Sequence, residues 1–123
     1  MSAAGTFQQF VAAINCHDVS SLVALMTSDH VFVDGLGNRI EGASRMEVGW
    51  RLYFEMCPDY RIETEHVVAD GPTVLAAGHA GGTIRRIEWR IPAAWLAVVR
   101  DGKVQEWRVY ADNKPVYEIL ARS

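Results

Sequence analysis

The sequence predicts an α+β fold in which a curved antiparallel sheet wraps around N-terminal helices and forms a cone with an apolar interior. Up to Cys57, apolar residues recur at helical spacing. From Tyr60 onward the period changes to two, as in strands with one buried face. Asp101-Gly102 separates two long apolar-rich runs, and this pair is a strong hairpin signal because Gly adopts positive φ without strain. Helices segregated from a mostly antiparallel sheet define the α+β class.

Length and charge narrow the class of protein. The 123 residues predict one domain, residues 1–123. A net charge of -3 argues against a nucleic-acid-binding protein. No apolar run approaches the roughly 18 residues that a membrane span needs. The N-terminus lacks a basic segment followed by an apolar core, so we expect no signal peptide and a cytoplasmic protein.

Cysteine and histidine spacing bears on metals and cofactors. Cys16 and Cys57 lie far apart, which fits neither a disulfide framework nor a metal motif and suits reduced thiols in a cytosol. The four histidines show no His-x-x-x-His spacing. We therefore expect no metal and no cofactor.

Three helices are predicted in the first half of the chain. The first runs from Ala3 to Asn15 and carries one apolar stripe, made by Phe7, Phe10, Val11 and Ile14. The second begins after Asp18, whose carboxylate suits an N-cap, and is expected to end at Thr27-Ser28-Asp29. The third begins at the capping box Ser44-Arg45-Met46-Glu47, and Pro58 closes it.

The strands begin with a short pair and continue as a meander. His30 to Asp34 is predicted as a strand that leads into a glycine-rich turn, after which Arg39-Ile40 pairs back. Thr73 to Gly82 forms a later strand, and its glycines are where the sheet can bend. The long hairpin spans Ile87 to Asp112, and a short helix or strap is expected after Pro115.

Two aspartates at strand ends are the leading candidates for chemistry. Asp34 precedes a glycine turn, and Asp112 ends the last strand. A carboxylate that faces an apolar interior has a raised pKa and becomes a usable base. In the structural alternative, the Asp34 side chain accepts backbone N–H bonds in the Gly35-Leu36-Gly37 turn, and Asp112 is the N-cap of the segment that starts at Asn113. The residues alone leave both alternatives open.

Histidine and aromatic side chains supply further candidates. His79 lies in mid-strand among small residues, and His66 shares its predicted face with Tyr60 and Ile62. A lone strand histidine is more often structural than catalytic. Trp50 and Tyr53, one turn apart on the third helix, are the aromatic residues expected to line a pocket, although aromatics also dominate cores and dimer interfaces. Strand alternation puts Tyr110 on the face of Asp112, opposite Trp107.

The whole chain resembles the nuclear transport factor 2-like superfamily, in its SnoaL-like polyketide cyclase and ketosteroid-isomerase-like branch. The segments that carry the resemblance are FQQFVAAINCHDVSSLVALM, VFVDGLG and RDGKVQEWRVYADNKPVYE. It implies a cone-shaped α+β barrel, commonly a homodimer, with a hydrophobic cavity. Because this superfamily hosts isomerases, cyclases, epoxide hydrolases, dehydratases and binding proteins, the fold alone does not give the chemistry.

The resemblance also implies roles for individual residues. VFVDGLG is similar to the isomerase segment with the general base, which puts that role on Asp34. EWRVYAD is similar to the strand that ends in the catalytic acid of epoxide hydrolases and cyclases, which puts that role on Asp112. GHAGG resembles a histidine-containing stretch of SnoaL-like sequences and points to His79. Phe10 and Trp95 fall near the oxyanion-hole positions of the isomerases.

These observations predict cofactor-free acid–base chemistry, of the isomerase or cyclase type, on a small and largely apolar molecule. Asp34 and Asp112 are expected to share the proton transfer, with His79 assisting. The predicted substrate-binding residues are Phe10, Trp50, Tyr53, His66, Trp95 and Tyr110. Because a phenylalanine has no hydrogen to donate, Phe10 cannot serve an oxyanion hole. A non-catalytic binding protein of the same fold, or a dimeric interaction domain, therefore remains the alternative.

Overall fold

A computed structural model of the protein describes residues 2–122, which form four helices and six strands. Their bounds, in chain order, are α1 (Ala3–Asn15), α2 (Val19–Ala24), β1 (Met26–Val33), β2 (Arg39–Glu41), α3 (Ala43–Met56), β3 (Arg61–Asp70), β4 (Thr73–Ile84), β5 (Ile87–Arg100), β6 (Lys103–Ala111) and α4 (Lys114–Ala121). None of these helices is long and apolar enough to cross a membrane.

The six strands form one curved sheet in the order β2-β1-β6-β5-β4-β3. Within the described residues the sheet does not close on itself, since β2 and β3 lie at its two edges. The predicted α+β cone is confirmed. One strand pair differs from the antiparallel prediction, because β1 and β6 run parallel. Parallel strands need a long crossover connection, and here all of the chain from β2 to β5 lies between the two strands.

The long hairpin forms where the sequence predicts it. β5 and β6 pair antiparallel from Ala93↔Ala111 to Arg100↔Lys103. The two turn residues, Asp101 and Gly102, have φ of 53° and 73°. Positive φ at both central residues matches the right-handed twist of the flanking strands, which explains why Asp-Gly stands here.

Two predicted boundaries are wrong, and tertiary contacts explain both. Thr27-Ser28-Asp29 lies inside β1 and does not end α2, because β1 already pairs with β6 from Met26 onward. Ser44 is not the N-cap of α3. The helix starts two residues earlier, after Gly42, whose φ is 98° and whose N–H donates to the His30 carbonyl at 2.7 Å. That bond to β1 fixes the start of the helix in place of the capping box.

The first helix fills the concave side of the sheet. Phe7 and Phe10 of α1 contact Trp107 of β6, with ring centroids 5.4 and 4.7 Å apart, and all three are buried. Aromatic pairs at this distance add to the stabilisation that burial itself provides. The packing of α1 against β6 therefore fills one end of the cone with side chains.

A register shift in β3 changes which side chains face the core. Thr64 pairs with Gly78 but His66 pairs with Ala77, so Glu65 is an extra residue in the strand. Such a bulge reverses the alternation beyond it. Ile62 is buried before the bulge, whereas Val67 packs against the core after it. His66 consequently does not share the face of Ile62, and it is exposed.

Candidate functional site

A pocket of about 290 Å³ lies between α3, α4 and the inner face of the sheet. Most of its lining is apolar, and it is especially rich in rings. We call it the aromatic pocket and define it by eight lining residues, which are Phe32, Trp50, Tyr53, Tyr60, Trp89, Trp95, Trp107 and Tyr117. A concave and mostly apolar space of this size, with a few polar groups, is typical of small-molecule sites, although its volume is at the small end of their range.

Strand and helix periodicity bring these rings together. Trp89 and Trp95 are an even number of residues apart on β5, so both face inward. Trp107 shares its lining face with Val109 and Ala111 of β6 by the same alternation. Trp50 and Tyr53 reach the pocket from adjacent turns of α3, as the spacing of that helix predicts.

Several of the rings meet nearly at right angles. Tyr53 and Tyr60 have centroids 4.8 Å apart and an interplanar angle of 88°. Tyr60 in turn stacks against Trp89 at 6.0 Å and 27°. Phe32 and Trp50 form a second corner, with centroids 6.3 Å apart and an angle of 76°. Each corner brings a ring face and a ring edge of neighbouring side chains toward the same region.

Two tyrosines of the pocket, Tyr53 and Tyr60, are neutral hydrogen-bonding groups. Burial raises the pKa of Tyr53, and the neighbouring Tyr60 adds to the effect. Burial likewise raises the pKa of Tyr60. Neither phenol therefore ionises at physiological pH, so neither adds a charge to the lining. The indole nitrogen of Trp50 is also buried, and it has no hydrogen-bond partner among residues 2–122.

Asp34 lies in the lining of the aromatic pocket, directly after β1. Its Oδ1 accepts hydrogen bonds from the backbone N–H groups of Leu36 and Asn38, both at 2.9 Å. Its Oδ2 accepts from the side-chain amide of Asn38 at 3.1 Å. The turn interactions predicted for this aspartate are therefore present together with its position at the pocket. Three donors hold the carboxylate in one orientation.

Asp112 lies outside the aromatic pocket. Its Oδ1 accepts a hydrogen bond from the backbone N–H of Lys114 at 3.0 Å, at the start of α4. It lines a shallow recess on the other side of Asn113, together with Lys114 and Glu118. Asn113, and not Asp112, contributes to the aromatic pocket. The structure thus does not bring the two predicted aspartates into one pocket. The N-cap of α4 is Asn113 and not Asp112, so the predicted N-cap is wrong by one residue, although Asp112 accepts one hydrogen bond at the start of the helix.

His79, His66 and Tyr110 also lie outside the lining of the aromatic pocket. His79 Nδ1 contacts Glu65 Oε1 at 2.5 Å, in a polar groove on the outer side of β3 and β4. His66 is exposed because of the bulge at Glu65, and Tyr110 is 52% exposed. The predicted assistance of His79 to Asp34 has no geometric support in this arrangement.

The two remaining predicted residues differ from each other. Trp95 lines the aromatic pocket and is almost completely buried. Phe10 is buried behind Trp107, with its ring 6.2 Å from that of His30, and it is not part of the lining. Phe10 is therefore a core residue in this structure.

Sequence reasoning named three of the eight rings of the lining and missed the other five, which are Phe32, Tyr60, Trp89, Trp107 and Tyr117. Trp89 lies six residues before Trp95 on one strand, so the alternation of β5 was sufficient to find it. Tyr60 precedes β3 and lies on the pocket through its contacts with Tyr53 and Trp89, which no local pattern reveals. The lining is thus more aromatic than the sequence predicted.

His30, predicted as the first residue of a strand, lies in the middle of β1 and is completely buried. Its Nδ1 lies 2.7 Å from the Val104 carbonyl oxygen, so Nδ1 must carry the hydrogen that it donates. Burial lowers the pKa of His30, and the Val104 carbonyl and the charges of Asp29 and Glu106 oppose that effect. Its Nε2 has no partner among the side chains and backbone of residues 2–122.

Within residues 2–122, no three His, Cys, Asp or Glu side chains are grouped in a way that could hold a metal ion. The aromatic pocket presents one carboxylate and neutral polar groups. Its chemistry therefore depends on Asp34, the phenols and the amide of Asn113.

Comparisons with known proteins agree on the fold. The family model described as SnoaL-like domain matches residues 7–107. No curated protein sequence matches the chain. Among solved structures, a protein classed with SnoaL-like polyketide cyclases from Jannaschia sp. CCS1 superposes with a TM-score of 0.86 and 19% identity, covering 98% of this chain and 93% of the other.

Two further structures have the same fold. An LEH-like epoxide hydrolase of M. tuberculosis has a TM-score of 0.82 and 23% identity, with coverage of 96% and 86%. A protein with a ketosteroid isomerase-like fold from Catenulispora acidiphila DSM 44928, in complex with trimethylamine, has a TM-score of 0.78 and 18% identity, with coverage of 85% and 83%. At these identities the likeness concerns the fold.

Proposed function

The chain belongs to the SnoaL-like domain family, and from that membership we propose that it binds one small, largely apolar molecule in the aromatic pocket. Proteins with this fold include cyclases, isomerases and epoxide hydrolases. The observation that carries the proposal is the lining itself, in which eight rings and one carboxylate surround about 290 Å³. Apolar walls with few polar groups favour a ligand of matching character.

The distribution of ionisable groups favours binding over catalysis by several residues. Of the lining side chains that the structure describes, Asp34 is the one carboxylate, and both of its oxygens already accept hydrogen bonds. Asp112 and His79, the expected partners in proton transfer, lie elsewhere. The trimethylamine complex of the Catenulispora protein is an example of a small organic molecule held by a protein of this fold.

Native mass spectrometry of the purified protein tests the proposal. We expect a co-purified small molecule, or uptake of one from a panel of small apolar compounds. Ala93→Leu adds volume at an inward position of β5 and should abolish binding. Ala12→Leu, at an exposed position of α1, is the matched control and should leave binding intact. Equal binding by both variants would place the ligand elsewhere and exclude the aromatic pocket.

Proton transfer by Asp34 is the second candidate function, and one observation favours it. A carboxylate lies in an otherwise apolar lining, where a bound ligand excludes water from it. With the ligand identified, Asp34→Asn should lower the rate of any conversion by about 10²–10⁴-fold. Asp112→Asn is the control and should leave the rate unchanged. Loss of the reaction in both variants, or in neither, would exclude this role.

We also propose that the protein is a homodimer that buries the outer face of its sheet. Val68 pairs with Leu75 and Leu75 with Leu96 across three strands, so the three side chains form one row on that face. Val68 and Leu75 are more than half exposed. Sedimentation at several concentrations should show a dimer that Leu75→Asp dissociates. Leu52→Asp, at an exposed position of α3, should leave the dimer intact, and a monomeric wild-type protein would exclude the proposal.

A further inference from the structure

The charge of the aromatic pocket narrows the class of ligand further than its apolar walls do. Among the described lining residues, Asp34 is the one acidic side chain, and none of them is a Lys, Arg or His. The hydrogen bonds that Asp34 accepts come from neutral amides, so they orient the carboxylate without cancelling its charge. The lining therefore carries one negative charge.

We infer that the aromatic pocket recognises a small organic cation, with a protonated or quaternary amine as its head group. This inference rests on the small-molecule binding proposed above and adds the charge of the ligand. A cation over the face of a Trp, Tyr or Phe ring is attracted by the ring quadrupole, and several rings around one point form the aromatic cages that hold alkylated ammonium groups.

The ring geometry suits this role because the rings do not all lie parallel. In the corner of Tyr53 and Tyr60 the planes meet at 88°, and Trp89 stacks beside Tyr60. Rings set at right angles surround a compact head group from more than one side, whereas a parallel stack leaves room only for a flat molecule. Because both phenols remain neutral, this corner attracts a cation through its ring faces.

The second corner belongs to the same lining as the carboxylate. Phe32 and Asp34 are two residues apart, and both line the pocket, so strand alternation sets them on the same side of the chain. Phe32 meets Trp50 at 76°, with centroids 6.3 Å apart. A head group at this corner would contact aromatic rings and lie near the negative charge of Asp34.

The same features disfavour other ligands. A carboxylate or phosphate would meet the charge of Asp34 without a lining cation to compensate it, and like charges in one apolar site are costly. A neutral apolar molecule would gain the burial of its surface but no electrostatic attraction. The comparison between a cation and a neutral molecule of the same shape is therefore the informative one.

Isothermal titration of the full-length protein with choline and with 3,3-dimethylbutan-1-ol makes this comparison. The two probes have nearly the same shape, but only choline is charged. We expect choline to bind at least about tenfold more tightly, the order of magnitude of a desolvated cation–π contact. Equal binding of the two probes, or preference for the alcohol, overturns the inference.

Two aspartate variants separate the local charge from the charge of the whole protein. Asp34→Asn should reduce the preference for choline severalfold, while Asp112→Asn, which changes the net charge equally, should leave it unchanged. If both variants lose the preference for choline equally, the preference comes from the net charge of the protein, and the inference is overturned. Circular dichroism melting of each variant checks that it is folded.

Binding of the small apolar compounds distinguishes a failure of the cation inference from a failure of the proposed function. If the panel of small apolar compounds binds in a way that Ala93→Leu abolishes, but choline does not bind, then the cation inference is wrong and the proposed function stands. If no compound of either kind binds, the proposed function itself is wrong.

Discussion

Two neighbouring strands, β1 and β6, run parallel and each ends in an aspartate, yet the two carboxylates lie in different surroundings. Asp34 follows β1 in phase with Phe32 and lines the aromatic pocket. Asp112 follows β6 out of phase with Trp107 and faces the outside. The strand alternation thus places one aspartate in the pocket and the other on the opposite face of the sheet.

This difference shows how the sheet divides polar chemistry between its two faces. The inner face of β5 and β6 carries tryptophans and small apolar residues, whereas the outer face holds ion pairs such as Arg108–Glu106 at 2.6 Å. Charged residues on the outer face do not reach the pocket, however close they lie in sequence. A candidate site residue in this fold must therefore be tested first for its strand phase.

The largest expected effect tests the two faces of β6 directly. Trp107→Ala should lower the free energy of unfolding by about 3–5 kcal/mol, because it removes a ring that is 1% exposed and packs against two phenylalanines. Tyr110→Ala, three residues later on the outer face, should change it by about 0.5 kcal/mol or less. Urea denaturation at one low protein concentration measures both. Similar losses would contradict the assignment of faces.

A smaller loss of stability is expected when either aspartate is replaced, and its size should follow the number of hydrogen bonds that the aspartate accepts. Asp34→Ala removes the acceptor of three N–H groups and should cost about 2 kcal/mol of unfolding free energy. Asp112→Ala removes a single bond at the start of α4 and should cost about 1 kcal/mol or less. Thermal unfolding measured with the same instrument and buffer compares them. A larger loss for Asp112 would reverse the order.

The smallest expected effect is a pH dependence of stability, which compares the buried His30 of β1 with His79 on the outer side of the sheet. Burial lowers the pKa of His30, so as the pH falls through about 6.5 the unfolded chain binds a proton that the folded chain does not. Stability should therefore decrease by about 1 kcal/mol between pH 7 and 5.5. His30→Leu should remove this component, and His79→Asn, on the outer side of the sheet, should retain it. Urea denaturation at the two pH values decides between them.

Much of the fold was predictable because local patterns and tertiary packing agree. The bounds of α1, the N-cap of α2 at Asp18 and the Asp101-Gly102 turn all follow from short-range chemistry. Prediction failed where long-range strand pairing overrides the local sequence signals. The start of β1 is set by β6, which lies more than seventy residues later, and no local signal at Thr27 encodes that partner.

The site was less predictable, for two different physical reasons. The phase of Asp112 was readable, since Trp107 on the same strand was already assigned to the opposite face. The exposure of His66 was not readable, because a bulge at Glu65 reverses the alternation after Ile62. The arrangement of Tyr53, Tyr60 and Trp89 depends on three separate elements, so only coordinates reveal it.

The parallel pairing of β1 with β6 has a consequence for the order of events when a ribosome makes this chain. The first two helices and β1 emerge early, but the strand that covers one edge of β1 emerges near the end. Until Val104 arrives to bond with both Leu25 and His30, that edge of β1 has no neighbour and exposes its backbone groups. The nascent protein therefore depends on a late, long-range closure, a step that makes folding slower and more prone to aggregation than the hairpins alone.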